Sequence, residues 1–228
     1  MKNRLKVSVL NGSLRSNGIT YYKVEKIIKY MKLCLSEMNF ELIIQYIEDN
    51  NISSCKGCEQ CFFNGTCSID DDIKNIKSKL LESDIIIVAS PVYLNHITGT
   101  LKSTLDRIAY WAHLMPLLGK RGIIVVTASQ SGLDETTEYL ENILSYFGLS
   151  IDITLKYNRF EKKESLSNAE LEYLVKSCIE NALSNEKKLS ERVTNIFEFY
   201  KEYFNQNSEL LCNNFEFKYW KEKGHLEL

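Results

Sequence analysis

Four cysteines crowd into one short segment of the chain. Cys55, Cys58, Cys61 and Cys67 follow the spacing C-x2-C-x2-C-x5-C. Thiolates at such a spacing can bind an iron–sulfur cluster or a zinc ion. In the ferredoxin run the fourth cysteine follows after three residues and precedes a proline, whereas here five residues intervene and Ser68 follows. The segment predicts a metal site without naming the metal, and free or oxidised thiols are the alternative.

Hydroxyl groups and one guanidinium are concentrated in the loop from Asn11 to Thr20. An apolar run precedes this loop and a helical pattern follows it, so backbone N–H groups and the helix dipole would favour an anion. The side-chain donors are Ser13, Ser16, Thr20 and Arg15. The spacing of Gly12 and Gly18 matches neither the dinucleotide fingerprint nor the Walker loop. We expect a monophosphate here, and a simple capped turn is the alternative.

Two further loops carry small and polar residues. In the loop from Ser90 to Gly99, Pro91 stiffens the turn, Tyr93 offers an aromatic face, and backbone amides near Asn95 can meet the polar edge of a planar ring. His96 in the same loop could donate a proton or a hydrogen bond, but a polar loop residue without a catalytic role is the favoured interpretation. The loop from Thr127 to Gly132 is again rich in donors.

Hydrophobic periodicity predicts the elements that position these loops. Apolar runs at 85–88 and 123–126 indicate strands buried on both faces. Five strands alternate with helices, which predicts an α/β fold with a doubly wound, five-stranded parallel sheet. The predicted strands are Leu5–Leu10, Phe40–Glu48, Asp84–Ser90, Gly122–Ser129 and Leu149–Tyr157, and the predicted helices include Asp71–Ser83 and Gly99–Trp111. Ligands of such sheets bind beyond the carboxyl ends of the strands, where the three loops meet.

Three of these segments, in chain order, resemble the NADPH-dependent FMN reductases of the flavodoxin-like superfamily: GSLRSNGIT, SPVYLNHITGTLKSTLDR and TASQSG. The resemblance spans roughly residues 5 to 180, and the flavodoxin strand order 2-1-3-4-5 is expected with it. It implies that Ser13, Arg15, Asn17, Gly18 and Thr20 hold the FMN phosphate, with Ser16 and Ile19 in the same loop. It also implies that the flavin ring lies between Pro91, Val92, Tyr93, Leu94 and Asn95 on one side and Thr127, Ser129, Gln130, Ser131 and Gly132 on the other. Relatives often carry asparagine in place of Ile19, so one phosphate contact is expected to be missing.

The cysteine spacing is similar to that of the iron–sulfur flavoproteins, a branch of this superfamily in which a [4Fe–4S] cluster relays electrons to FMN. Two functions follow from the resemblances. The first is an NAD(P)H-dependent, FMN-containing oxidoreductase that reduces a quinone, a nitro or azo compound, or a flavin. The alternative is an electron carrier that exchanges electrons with ferredoxin-like proteins. A binding protein that keeps the fold without the cofactor is a third possibility.

The composition limits the expected partners and the expected cellular compartment of the protein. Its 228 residues include 28 basic and 30 acidic side chains, and this near balance argues against a nucleic-acid partner. There is no apolar run of about 18 residues to span a membrane, no secretory pattern at the start, and an odd number of cysteines, seven. We therefore expect a cytoplasmic protein without disulfides. The family also suggests a homodimer or homotetramer.

The strand pattern stops after about Asn185. We expect residues 1–184 to form the FMN-binding domain and residues 185–228 to form a helical extension. One helical stripe in that extension consists of Val193, Ile196, Phe197, Tyr200 and Phe204. A helix that docks on the domain or on a dimer partner is the favoured interpretation, and a lid over the substrate is the alternative.

Overall fold

A six-stranded sheet forms the centre of the computed structural model, which describes residues 4–38, 40–47 and 51–227. Its strands are β1 (Arg4–Asn11), β2 (Glu41–Ile47), β3 (Ile85–Pro91), β4 (Arg121–Ala128), β5 (Ser150–Asn158) and β6 (Lys163–Glu164). The order is β2-β1-β3-β4-β5-β6, and the first five strands are parallel. The predicted doubly wound order 2-1-3-4-5 is confirmed. Glu48, the predicted end of the second strand, lies outside the described residues.

The predicted count of five strands is wrong, because the chain turns back after β5 and adds a sixth. β6 pairs antiparallel with β5, with Tyr157 opposite Glu164. An Asx turn at Asn158 and a left-handed residue at Lys162 reverse the chain. The new strand is two residues long and charged, so no alternation in the sequence marks it. A short charged strand of this kind protects the edge of a sheet from pairing with another chain.

Helices cover both faces of the sheet. They are α1 (Ile19–Glu37), α2 (Gln60–Asn64), α3 (Ile73–Glu82), α4 (Gly99–Arg107), α5 (Trp111–Leu114), α6 (Leu133–Tyr146), α7 (Asn168–Leu183), α8 (Glu191–Gln206), α9 (Ser208–Leu211) and α10 (Phe215–Glu222). Successive residues of β3 point to opposite faces: Ile85 and Ile87 pack with α1 and α7, whereas Ile86 and Val88 pack with α3 to α6. This explains the unbroken apolar run in the sequence.

The predicted helix Gly99–Trp111 is broken in the structure. α4 ends at Arg107, and a separate turn of helix, α5, begins at Trp111. Neither glycine nor proline stands between the two helices to signal this break. The side chain of Arg107 is fully buried in an ion pair with Asp71, so a tertiary contact holds the end of α4 in place.

The C-terminal extension packs on the core through an aromatic cluster. Val193, Phe204, Phe217 and Trp220 are buried around Met115. Trp220 Nε1 donates to the carbonyl oxygen of His113 at 2.8 Å. α9 and α10 had no counterpart in the sequence prediction. Across the part of the chain that the structure describes, none of the helices combines the length and apolar character needed to cross a membrane.

Candidate functional site

The loops at the carboxyl ends of β1, β3, β4 and β5 enclose a cavity of about 370 Å³. Residues from all four loops reach it because parallel strands end at the same edge of a sheet. The lining residues are Ser13, Arg15, Asn17, Gly18, Ile19, Thr20, Pro91, Val92, Tyr93, Thr127, Ala128, Ser129, Tyr157 and Arg159. Eleven of them were predicted from the sequence to contact a cofactor.

The start of α1 forms one wall of this cavity. Gly18 is the N-cap residue, and no side chain caps the helix. α4, in contrast, is capped by Thr98, whose hydroxyl accepts from Leu101 N. The first N–H groups of α1 are therefore available to a ligand, and no acidic residue lies in the first turn. In the described ranges Arg15 forms no ion pair. The wall is positively polarised and suits a phosphate group.

Buried contacts hold the Gly12–Thr20 loop in place. Gly12 N donates to Ala89 O at 2.7 Å, and Thr98 Oγ1 donates to Gly12 O at 2.9 Å. A Cβ atom at Gly12 would lie only 2.7 Å from Thr98 Oγ1, so the close approach requires glycine. At the other end of the loop, the hydroxyls of Thr20 and Thr127 are hydrogen-bonded at 2.7 Å. These contacts tie the loop to β3, α4 and β4.

Six predicted contact residues do not line the cavity: Ser16, Leu94, Asn95, Gln130, Ser131 and Gly132. Leu94 and Asn95 both adopt positive φ angles, of 49° and 59°, and Leu94 is fully exposed. Ser131 Oγ donates to Asn95 Oδ1 at 2.9 Å, which joins the two loops next to the cavity. Gln130 lines a neighbouring opening with Ser129, Arg159 and Phe160.

His96 also lies outside the lining of the cavity. Its backbone exchanges hydrogen bonds with Tyr93, which closes the tight turn. Its ring packs against Tyr139 with 4.2 Å between the ring centroids. This placement gives His96 a packing contact and a role in shaping the turn that presents Tyr93.

Sequence reasoning missed Ala128, Tyr157 and Arg159. Tyr157 and Arg159 lie at and just beyond the end of β5, and both line the cavity. The rule that ligands bind beyond the carboxyl ends of strands applies to β5 as it does to the other strands. Inspecting the segment after the fifth predicted strand would have found them.

The four clustered cysteines line a second, smaller cavity of about 80 Å³. Other lining residues include Phe62, Ile69, Arg107 and Ala109. The thiols are free, with Cys55 and Cys58 exposed and Cys61 and Cys67 half-buried. One continuous segment therefore places all four cysteines on the lining of a single cavity.

The backbone of the cysteine segment curls tightly around this space. Gly57, Glu59 and Gly65 have φ angles of 65°, 57° and 73°. Phe215 of α10 packs so closely on Gly65 that a Cβ atom there would lie 2.3 Å from its ring. Contact with the C-terminal extension thus fixes the far side of the segment.

The cysteines differ in their electrostatic surroundings. The backbone N–H of Gln60, and then the hydroxyl of Ser68, lower the pKa of Cys58. Burial raises the pKa of Cys61. Cys58 is therefore the readier of the two to ionise and bind a metal.

The four cysteines supply the ligand set of an iron–sulfur cluster and equally that of a zinc ion. Within residues 4–38, 40–47 and 51–227, no three histidine, cysteine, aspartate or glutamate side chains form a group that could hold a metal ion as they stand. The four cysteines nevertheless line one cavity, and four thiolates are the ligands that an iron–sulfur cluster would take.

Comparisons with known proteins agree with this architecture. An iron–sulfur flavoprotein of Archaeoglobus fulgidus is 34% identical over 116 residues, which are 50% of this chain and 53% of that protein. An iron–sulfur flavoprotein of Methanocaldococcus jannaschii is 32% identical over 144 residues, which are 63% of this chain and 72% of that protein. The match therefore spans about half the length of the first relative.

Among solved structures, RosB with bound 8-demethyl-8-formylriboflavin-5′-phosphate superposes with a TM-score of 0.56. The alignment covers 90% of this chain and 87% of RosB at 15% sequence identity, so it shows a shared fold. The sequence profile of the NADPH-dependent FMN reductases matches residues 5–151. The chain belongs to the NADPH-dependent FMN reductase family.

Proposed function

We propose that this chain is an FMN-containing oxidoreductase that oxidises NAD(P)H and reduces a small-molecule acceptor, such as a quinone, a nitro or azo compound, or a flavin. The observation that carries the proposal is the cavity at the carboxyl edge of the sheet, with the uncapped start of α1 and Arg15 on one wall. When bound there, FMN supplies the two-electron redox chemistry, and the protein supplies binding and orientation.

The residues of the cavity divide by chemistry. Ser13, Arg15, Thr20 and the first N–H groups of α1 would hold the phosphate. Pro91, Val92 and Tyr93 line the planar ring, and Thr127 and Ser129 supply polar atoms on the facing loop. Arg159 adds a second guanidinium to the lining, which favours anionic ligands such as nucleotide phosphates.

An anaerobic titration tests this proposal. The purified protein is reconstituted with FMN, freed of excess cofactor, and titrated with NADH and with NADPH while the flavin absorbance is followed. We expect one or both nucleotides to bleach the flavin. Failure to bind FMN at all would instead favour a binding protein that has kept only the fold. Light scattering on the same sample tests the expected homodimer or homotetramer.

A second candidate function is favoured by the four cysteines on one cavity. In this function the chain is an iron–sulfur flavoprotein, as its relatives are named, and exchanges electrons with a ferredoxin-like protein. Cys55, Cys58, Cys61 and Cys67 would hold a [4Fe–4S] cluster. Bleaching by reduced ferredoxin, but by neither nicotinamide nucleotide, would select this function over the first.

Iron and sulfide analysis tests the cysteine site independently of the flavin. After anaerobic reconstitution we expect Cys58→Ala to lose most of the bound iron and sulfide. Cys212→Ala is the matched control, because Cys212 is an exposed free thiol outside the segment. Equal iron content in the two variants would contradict a four-cysteine site.

A further inference from the structure

Arg107 connects the cysteine segment to the protein core. It is the last residue of α4, and its side chain is completely buried. A buried guanidinium is stable only when it is paired and hydrogen-bonded. Its partner Asp71 is also buried, with 3% of its side chain exposed.

The two terminal nitrogens of Arg107 bind both ends of the cysteine segment. Nη1 donates to Ser53 O at 2.8 Å, two residues before Cys55, and to Asp71 Oδ2 at 2.5 Å. Nη2 donates to Ile69 O at 3.3 Å, two residues after Cys67, and to Asp71 Oδ1 at 3.0 Å. The guanidinium therefore holds the entry and the exit of the segment together.

The third guanidinium nitrogen of Arg107, Nε, makes none of these hydrogen bonds. In the described part of the chain, Nε is buried and has no hydrogen-bond partner. Leaving a donor of a charged group unpaired in the interior is costly, so this position calls for an acceptor. Arg107 lines the same cavity as the four cysteines. The pKa of Arg107 is raised by its hydrogen bond to Asp71, against the opposing effect of burial, and further by the Cys67 sulfur.

We propose that Arg107 Nε–H donates a hydrogen bond to a sulfur atom in this cavity, either Cys67 Sγ or a sulfide of the bound cluster. Arg107 is then a positioning residue that also sets the reduction potential of the cluster. The inference rests on the proposed [4Fe–4S] site. A cluster with four thiolates carries net negative charge, and one-electron reduction adds to that charge. An N–H donor stabilises the more negative, reduced form and raises the potential.

Arg107→Lys separates this effect from the structural role of the residue. Lysine keeps a cation that can pair with Asp71, but it has a methylene group where arginine has Nε–H. Iron and sulfide are measured in the variant, and the potential is compared on protein that retains its cluster. At a fixed ambient potential we expect about a tenfold lower ratio of reduced to oxidised cluster, which is a shift of about −59 mV for a one-electron couple.

Arg121→Lys is the matched control for this experiment. Arg121 is likewise buried, pairs with Asp152 on β5, and donates to Lys188 O. The potential of each protein is measured by a mediated reductive titration followed by electron paramagnetic resonance. A shift in Arg107→Lys and none in Arg121→Lys supports the proposal. An unchanged potential in an iron-replete Arg107→Lys protein overturns it.

A measurement on the wild-type protein covers the case in which Arg107→Lys does not retain its cluster. The protein is grown with arginine labelled with the heavy nitrogen isotope, and the reduced cluster is examined by pulsed electron paramagnetic resonance. A nitrogen coupling from the label supports the hydrogen bond to sulfur, and its absence overturns it. Wild-type protein that binds no iron or sulfide on reconstitution refutes the underlying cluster assignment as well, so the two failures are distinguishable.

Discussion

The two cavities of this protein are built in opposite ways. The larger cavity collects short contributions from four loops, each placed by a strand of one parallel sheet. The cysteine cavity is lined by four cysteines from one segment between β2 and α3. Each loop of the first cavity follows a strand of the sheet and is tied to its neighbours by buried hydrogen bonds, whereas the second cavity is held by contacts from Arg107 and Phe215.

This difference indicates which contacts each site needs to keep its shape. The larger cavity depends on the sheet, on backbone N–H groups and on the close approach at Gly12. The cysteine segment contains few regular hydrogen bonds of its own and depends on a buried ion pair. Substitutions at the cysteine segment should therefore change the free energy of unfolding, and substitutions at the larger cavity should change the Kd for FMN.

Asp71→Ala should cause the largest loss of stability among these variants. A small loss would contradict the claim that a buried ion pair holds the cysteine segment. The substitution leaves the Arg107 guanidinium buried without its partner, and we expect a loss of about 3–5 kcal/mol in the free energy of unfolding. Urea denaturation of the cofactor-free protein measures this loss. Asp70→Ala is the control, because Asp70 and Lys74 form an exposed pair and should contribute within about 0.5 kcal/mol. Similar small losses in both variants would mean that the ion pair does not hold the segment.

Arg15→Gln tests the larger cavity through ligand binding. Losing a charge-assisted hydrogen bond costs about 1.5–3 kcal/mol, so the Kd for FMN should rise about 10- to 100-fold. Quenching of flavin fluorescence measures the Kd. Arg4→Gln removes the same charge from an exposed pair with Glu41 and should leave the Kd near the wild-type value. A matching rise in both variants would point to net charge instead of a phosphate contact.

Gly12→Ala tests whether close packing shapes the phosphate loop. The added methyl would meet Thr98 Oγ1 at 2.7 Å and Leu101 Cβ at 2.9 Å, so we expect a loss of about 1–3 kcal/mol in stability together with weaker FMN binding. Gly99→Ala is the control, since nothing lies within 4 Å of its added methyl, and it should be neutral or stabilising by up to about 1 kcal/mol. The prediction fails if Gly12→Ala binds FMN as tightly as the wild type does.

The smallest effect is expected at His113, which contacts both the cysteine segment and the C-terminal extension. His113 Nδ1 lies 2.7 Å from Glu216 Oε1, and its ring packs against Phe62. The hydrogen bond to Glu216 raises the pKa of His113 above its ordinary value of 6.5. Because the folded protein has the higher pKa, the stabilisation is complete below pH 6.5 and is lost as the pH rises through the folded value.

Replacing Glu216 tests this pH dependence. Glu216→Gln should lower the Tm at pH 5.5 by an amount equivalent to less than about 1 kcal/mol, because the pair is partly exposed. The difference from wild type should shrink towards pH 8.5. A difference that stays constant across this range would assign the contact to packing and not to charge.

Local chemistry explains which features could be predicted from the sequence. The five parallel strands were predicted because apolar runs such as 85–88 record burial on both faces. The Gly12–Thr20 loop was predicted because its donors lie between one strand and the next helix. β6 could not be predicted, since two charged residues carry no periodic signal, and the break after Arg107 has no local cause. Arg159 was overlooked, although the rule that found the other loops also covers it.

The sequence by itself determined the layering of this protein, the order of its loops and the presence of four clustered thiols, because each is encoded by residues near one another in the chain. Only the tertiary structure decided which side chains meet. Arg107 and Asp71 lie 36 positions apart, and their pairing requires α4 to end beside the cysteine segment. Phe215 reaches Gly65 only because the C-terminal helices fold back onto the core. Burial patterns are local, whereas the pairing of buried charges depends on how whole elements are placed.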